Sequence, residues 1–319
     1  MMSTMRPQIL VLSVLSLWMA VYDGSGAPAQ VTDLAIQGDR IARIGDLGSA
    51  TAKTVVDAKG LAIAPGFINM MSWANESLLE DGRSQSDIRQ GVTLEVMGEG
   101  NSMGPLSPKM KDAIQRNQGD IKYKVAWNTL GDYLTYLEQR GVSTNVASFI
   151  GAATPRIYVV GYDNRKPTAE ELQQMKELVR QAMREGAMGV ASSLIYPPGH
   201  FADTAELTEL AKAAGELGGL YASHIRNEGN QLVASIDEAI AIGKGAGVRV
   251  EVYHLKAAGK PNWSLFDKAL DRIEQAQREG LEITADVYTY PASSTGLNSV
   301  MPPWVQDGGF EASMERLRN

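Results

Sequence analysis

The sequence predicts an α/β fold: an incomplete (β/α)8 TIM-type barrel of about seven strands, with part of a small N-terminal β subdomain ahead of it. Three observations predict it. From residue 63 onward, apolar strand-like runs alternate with amphipathic helix-like runs. Each strand-to-strand step is long enough for a βαβ crossover, the connection that parallel neighbours require. Finally, His224 and His254, two of only three histidines, sit just past the apolar cores of consecutive strands. A parallel βαβ unit brings such ends together on one rim, where α/β barrels carry their chemistry.

Taken in order, the chain opens on an ambiguous window. Arg6 precedes an apolar stretch over 9–21, and Ala27-Pro28-Ala29 resembles a small-residue cleavage site. Two readings stand for residues 1–20: a secretory signal peptide, too short for a transmembrane helix, or a hydrophobic first strand. Cleavage after Ala29 would also remove Tyr22-Asp23-Gly24-Ser25-Gly26, which has the composition of a turn. Location follows the same choice: secreted or periplasmic with a signal peptide, cytoplasmic without one. Residues 21–60 read as the partial β subdomain, because Leu34-Ala35-Ile36, a Gly38-Asp39 turn and Ile41-Ala42-Arg43-Ile44 make a hairpin signature. Pro65-Gly66 then punctuates a change of regime, and 61–319 reads as the barrel.

Strands are expected at 63–70, 92–97, 146–150, 188–195, 220–224, 248–254 and 281–288. Residues 103–141 are too long for a plain loop and are expected to hold an excursion over the barrel mouth plus a helix at 130–137. The helix after the third strand carries a capping box from Thr168 to Glu171, in which hydroxyl and carboxylate satisfy each other's free backbone N–H. Its apolar stripe is Leu172, Met175, Leu178, Val179 and Met183, and Gly186 stops it. The next helix starts at Asp203-Thr204, buries Leu207, Leu210, Ala211, Ala214 and Leu217, and ends at Gly218-Gly219. A third carries Leu232, Ile236 and Ile240; a fourth carries Leu265, Ala269, Leu270 and Ile273 and ends at Gly280. No eighth strand is expected before Asn319. A barrel short of one strand leaves two unpaired edges, so the chain reads as truncated before strand eight.

Composition narrows the partners. The chain has 319 residues, 44% of them hydrophobic, and a net charge of −7. No basic patch with interleaved aromatics is present, which argues against a nucleic-acid partner. No stretch is long enough for an integral membrane span. There is no cysteine, so disulfides and thiolate ligands are excluded, and any metal must be held by His, Asp, Glu or a modified Lys.

The expected C-terminal strand ends offer Ser72-Trp73, Glu99, Tyr196-Pro197-Pro198-Gly199, His224 with Arg226, His254 with Lys256, and Asp286 with Tyr288 and Tyr290. One histidine at such a place is commonly a packing residue. Two at matching ends of neighbouring strands point to a metal site or an acid–base pair. Glu99 lies between two glycines, which allow backbone to approach a ligand closely, and a solvated loop acid is the alternative. His200 reads as structural or solvent-facing.

Several stretches together resemble the N-acyl-D-amino-acid deacylase (D-aminoacylase) branch of the metal-dependent amidohydrolases. They include Ala64-Pro65-Gly66-Phe67-Ile68, Tyr196-Pro197-Pro198-Gly199 and Gly219-Leu220-Tyr221-Ala222-Ser223-His224-Ile225-Arg226-Asn227-Glu228-Gly229. Further matches are His254-Leu255-Lys256-Ala257-Ala258-Gly259, Asn262-Trp263 and Asp286-Val287-Tyr288 through Ser294-Thr295-Gly296-Leu297. The resemblance implies zinc-dependent hydrolysis of the linear amide of N-acyl-D-amino acids, with a small-molecule N-acyl amino acid as partner. It places His224 and His254 on tight zinc ligands. It places Lys256, Tyr288 and Ser294 near the positions that hold the substrate carboxylate, and Tyr196 on a tyrosine lining the site. Arg226, which flanks His224 in the matching stretch, joins the expected substrate-binding set.

The departures matter as much. The His-x-His pair of strand one is replaced by Met71-Ser72-Trp73, and Glu99-Gly100 stands where a metal-bridging cysteine is expected. The expectation is therefore one zinc ion, held by His224, His254 and Glu99 as the harder third ligand. The family's catalytic aspartate is expected beyond Asn319, so no catalytic base is assigned within this chain. Two other readings stay open: a different amidohydrolase chemistry, on cyclic amides or dipeptides, and a non-catalytic metal-binding relative or fragment.

Overall fold

The computed structural model describes residues 9–12, 19–290 and 292–319. The chain divides into two compact units, Met1–Phe67 and Ile68–Asn319. Within the first unit lie β1 (Ile9–Leu12), β2 (Ala20–Val21), β3 (Gln30–Val31), β4 (Asp33–Gln37), β5 (Arg40–Gly45), β6 (Thr54–Val55) and β7 (Ala62–Ile63). They form two sheets, ordered β5-β4-β1-β6 and β3-β2-β7. The expected hairpin is β4–β5, closed at Gln37↔Arg40 by the two-residue turn Gly38-Asp39, with Gly38 at φ 64°. Such a turn needs positive φ, which glycine adopts without a Cβ clash. The expected turn at 22–26 is also present: Asp23 Oδ1 accepts from the Ser25 amide at 2.9 Å and from its hydroxyl at 2.5 Å. Ile9–Leu12 pairs antiparallel with β4 and parallel with β6. The rest of the 1–18 window, and with it the signal-peptide reading, lies outside the described residues.

The second body alternates strand and helix. Its strands are β8 (Phe67–Asn69), β9 (Val92–Met97), β10 (Asn145–Ser148), β11 (Ile150–Gly151), β12 (Gly189–Ser193), β13 (Leu220–His224), β14 (Val250–Val252) and β15 (Ile283–Ala285). The helices are α1 (Ser77–Glu80), α2 (Gln85–Ile88), α3 (Pro108–Arg116), α4 (Leu130–Arg140), α5 (Ala153–Val159), α6 (Ala169–Arg184), α7 (Thr204–Gly215), α8 (Leu232–Ala246), α9 (Phe266–Arg278) and α10 (Phe310–Arg318). All seven expected strand positions are occupied. They group as β10-β9-β8 and β11-β12-β13-β14-β15, with every pairing from β11 to β15 parallel and in sequence order. The expected third strand is split: β10 pairs with β9, β11 pairs with β12, and Phe149 joins the two sheets.

Side chains alternate across these strands, so each strand serves two layers. One face supplies Val96, Phe149, Ala191, Ala222 and Tyr253, which pack on one another with Met70 and Met71. The other face supplies Met97, Val190, Tyr221, Val250, Val252 and Ile283, which meet the helices. Burial on both faces explains why β12 and β13 read as near-continuous apolar or small runs. The capping box of α6 forms as expected, with the Thr168 hydroxyl accepting from the Glu171 amide at 3.2 Å and the Glu171 carboxylate accepting from the Thr168 amide at 2.8 Å.

Four expectations need correction. The described strands stay open at their edges, as expected of an incomplete barrel, but they form two separate sheets where one continuous run of strands was expected. Leu217, expected in the core, is 46% exposed, because α7 ends at Gly215. The last two strands are shorter than their apolar runs, since the backbone leaves the sheet at Tyr253 and at Asp286 to build the site. The segment 103–141 holds two helices where one was expected, α3 being nucleated by Ser107, whose hydroxyl accepts from the Met110 amide, and by Pro108 at its first turn.

Candidate metal centre

At the C-terminal ends of these strands a cavity of about 1460 Å³ opens within the second unit. Register builds its floor. Ser193 pairs with His224 across β12 and β13. Both fall on the face that carries Ala191 and Ala222, two residues earlier in each strand. His224 therefore reaches the cavity by plain alternation.

His254 and Glu99 do not. Tyr253 faces the inner layer, so alternation would send His254 toward the helices. Instead His254 takes φ 37°, in the left-handed region. Its amide donates to Asp286 Oδ1 at 2.6 Å, and the Leu255 amide donates to the Asp286 carbonyl at 2.9 Å. A non-glycine residue there costs on the order of 1–3 kcal/mol and persists only where its surroundings hold it. Glu99 is turned by its flanking glycines, at φ 99° for Gly98 and 66° for Gly100. A Cβ on Gly98 would meet the Phe149 carbonyl oxygen at 2.3 Å, and one on Gly100 would meet the Ser193 Cβ at 2.6 Å. The glycines serve close approach of neighbouring strands, and that approach aims the carboxylate.

The three side chains converge. Glu99 Oε1 lies 2.8 Å from His224 Nδ1, and His224 Nδ1 lies 3.0 Å from His254 Nε2. The imidazole planes stand at 89°, with ring centres 4.4 Å apart. One donor atom from each residue falls within 4.8 Å of the others, and all three residues are buried. Ser193 Oγ donates to Glu99 Oε1 at 3.1 Å. Two imidazole nitrogens and a carboxylate oxygen, held this close on rigid strand ends, are the donor set that a zinc ion takes.

The other expected residues sort clearly. Tyr196, Lys256, Tyr288 and Ser294 line the same cavity. Tyr196 stands edge-on to His224 at 5.5 Å, and its hydroxyl shares a 2.5 Å hydrogen bond with Thr295. Lys256 Nζ lies 5.4 Å from the centre of the Tyr288 ring. Arg226 is elsewhere: it pairs with Glu238 at 2.9 Å and donates to the carbonyls of His200 and Ala202 at 2.8 Å. It braces two loops and does not line the cavity. His200 is structural as read, its Nδ1 lying 2.9 Å from the Leu194 carbonyl. In strand one, Trp73 borders the cavity and is 62% exposed, while Met71 packs on the inner layer.

Sequence reasoning missed Glu228. Its Oε1 is 2.5 Å from Lys256 Nζ and 3.0 Å from His254 Nδ1. Burial pushes this carboxyl up, but the hydrogen bond with His254, the His224 charge and Lys256 outweigh it and hold it below the usual value. Its place four residues after His224 was the available signal. Asp286 shows the opposite balance: burial raises it, and the His254 amide and nearby charges only partly offset the rise.

The chain is 36% identical over 280 residues to a D-aminoacylase of Alcaligenes xylosoxydans xylosoxydans, a match covering 86% of this chain and 57% of that one. A crystal structure of a D-aminoacylase superimposes with a TM-score of 0.77 at 32% identity, covering 88% of this chain and 58% of the other. Over these residues the chain is similar to the D-aminoacylases, a subset of the amidohydrolases. The N-acyl-D-glutamate deacylase of Bordetella bronchiseptica with zinc and a phosphonate inhibitor gives a TM-score of 0.75 at 33% identity, covering 85% of this chain and 57% of that one. No family model matches the chain. The chain thus spans a little over half the length of the D-aminoacylases it matches.

Proposed function

We propose that this chain carries the zinc-binding and substrate-binding part of an N-acyl-D-amino-acid deacylase, a hydrolase of the linear amide bond. The observation that carries the reading is the convergence of Glu99, His224 and His254 at the head of the cavity, in a chain similar to the D-aminoacylases. In this proposal the seven strand positions are consecutive staves of a (β/α)8-type barrel, and residues 21–60 form part of a small β domain. One zinc ion is held by His224 Nδ1, His254 Nε2 and Glu99. The donor set fits it, since one donor atom from each of the three buried residues lies within 4.8 Å of the others. Bound there, zinc supplies Lewis acidity to the scissile carbonyl and acidifies water.

The chain's own residues do the rest. Lys256 and Tyr288 lie together on the wall formed by the loops after β14 and β15, and Ser294 follows on the same side. An ammonium and two hydroxyls suit the carboxylate of an amino acid, through charge-assisted hydrogen bonds. Tyr196, packed edge-on against His224 and tied to Thr295, adds an aromatic wall beside the ligand cluster. Met71 and Trp73 present apolar surface where a second metal's imidazoles would otherwise stand, so the proposal is for one ion.

The test is zinc content per chain together with hydrolysis of N-acetyl-D-methionine and its L enantiomer. About one zinc per chain, lost in His224→Ala, with D-selective hydrolysis, is the expected result. Zinc near zero in the wild type and unchanged by His224→Ala would overturn the mononuclear site. Hydrolysis blind to handedness would overturn the substrate class.

A further inference from the structure

We infer that Glu228 is the positioning residue of this centre: one carboxylate oxygen sets which nitrogen His254 offers to the metal and keeps Lys256 parked until a cation arrives. The inference rests on the metal reading above and concerns a residue outside the three converging ligands.

Nδ1 of His224 faces Glu99 at 2.8 Å, and Nε2 of His254 faces that same Nδ1 at 3.0 Å. An imidazole can offer the Nε2 lone pair only if its proton sits on Nδ1. Glu228 Oε1, 3.0 Å from His254 Nδ1, is the acceptor for that proton. The same oxygen lies 3.8 Å from His224 Nε2, which is buried and finds no hydrogen-bond partner among the described residues. A single carboxylate therefore sits behind both rings, on the side away from Glu99. A carboxylate behind a ligand imidazole fixes its tautomer and raises its basicity.

Lys256 competes for this arrangement. Its Nζ is 2.5 Å from Glu228 Oε1, 2.9 Å from His254 Nδ1 and 3.0 Å from the His254 carbonyl. An ammonium has only donors. It can satisfy Nδ1 only when Nδ1 carries no proton, and then Nε2 carries one and cannot bind a metal. Two states follow. In one, Lys256 donates to His254 Nδ1 and Glu228, and the proton sits on Nε2, on the side of the three converging atoms. In the other, Nδ1–H donates to Glu228, Nε2 faces a cation, and Lys256 must leave Nδ1. Leaving it points the ammonium into the cavity, toward a carboxylate ligand. Glu228 thus couples the cation site to the carboxylate site.

The experiment is zinc affinity by chelator competition, with the visible spectrum of the cobalt(II)-loaded protein as a second readout. Removing a partner of this kind costs about 10–100-fold in metal affinity. Glu228→Gln is expected to show that loss and a shifted cobalt band while its metal-free melt remains a single cooperative transition. Glu228→Asp, which keeps the charge, is expected to lose less than Glu228→Gln. Lys256→Met is expected to bind zinc more tightly than the wild type, because its competitor for Glu228 and Nδ1 is gone. Wild-type affinity in Glu228→Gln while His224→Ala has lost zinc overturns this inference alone. So does a Glu228→Asp loss as large as that of Glu228→Gln, or a Lys256→Met affinity equal to or below the wild type. If His224→Ala binds zinc as the wild type does, the metal reading itself fails.

Discussion

Glu251 shows how a single buried side chain makes the stability of this fold depend on pH. It lies on the inner face of β14, buried, and accepts a very short hydrogen bond from the Thr284 hydroxyl. Burial lifts its carboxyl to about 7; the Thr284 hydrogen bond holds the rise back, and the neighbouring Asp286 adds to it. An unfolded glutamate releases its proton near 4.5, whereas the folded one keeps it to about 7. Between these values the folded state binds more protons, so stability present below pH 4.5 is lost as pH rises toward 7. Glu251→Gln, which stays neutral, is expected to flatten this slope. Melts of metal-free protein at roughly pH 5 and pH 8 check it: the variant's advantage should be larger at the higher pH. For the ligands, Glu99→Ala removes one of three donors and is expected to lower zinc affinity by more than about tenfold, read by chelator competition. Equal affinity in wild type and variant would place Glu99 outside the ligand set.

At the scale of elements, the site depends on how two strands end. β9 ends in Gly98-Glu99-Gly100, and β14 ends where His254 turns left-handed. Gly98→Ala would push a Cβ into the Phe149 carbonyl oxygen at a backbone angle that L residues rarely adopt. A cost of more than about 3 kcal/mol is expected, because neither the carbonyl nor the angle can relax without separating the strands. Urea unfolding measures it, and a midpoint within error of the wild type would show that the turn at Glu99 is not held this way. Helix caps are the contrasting case. Thr168→Ala removes the hydroxyl that accepts the Glu171 amide and should cost about 1 kcal/mol. Zinc affinity should not change, since α6 meets the sheet on the face away from the cavity.

For the whole molecule, a bound cation links the strand ends and should stabilise the fold by mass action. Zinc at a hundredfold excess over its Kd adds about 2.7 kcal/mol. Thermal melts with zinc and with a chelator should differ accordingly, and the difference should vanish in His224→Ala. Reductant should have no effect, because the chain has no cysteine. Among the described residues no helix is long and apolar enough to cross a membrane. Much of the architecture was legible because it follows from periodicity. The seven strand positions, the α6 cap and the Gly38-Asp39 hairpin depend on local pattern and turn chemistry, which a short window of residues carries. The break into two sheets at Phe149 was not legible, since pairing between distant strands depends on where chains meet in space.

The sequence by itself determined the alternation of strand and helix, the absence of thiolate chemistry, and the pairing of His224 with His254 on one rim. Both histidines lie at ends of neighbouring parallel strands, and that follows from spacing alone. Only the tertiary structure decided which side chains meet. Alternation would have sent His254 and Glu99 to the helix layer, and one left-handed residue and two close-packed glycines reversed that. Arg226 looked like a substrate residue from its neighbours, yet Glu238 on α8 claims it. Glu228 carried no role in the sequence reading, yet it sits behind the imidazoles. In each case the deciding partner comes from outside the local run, and no local pattern encodes where that partner will stand.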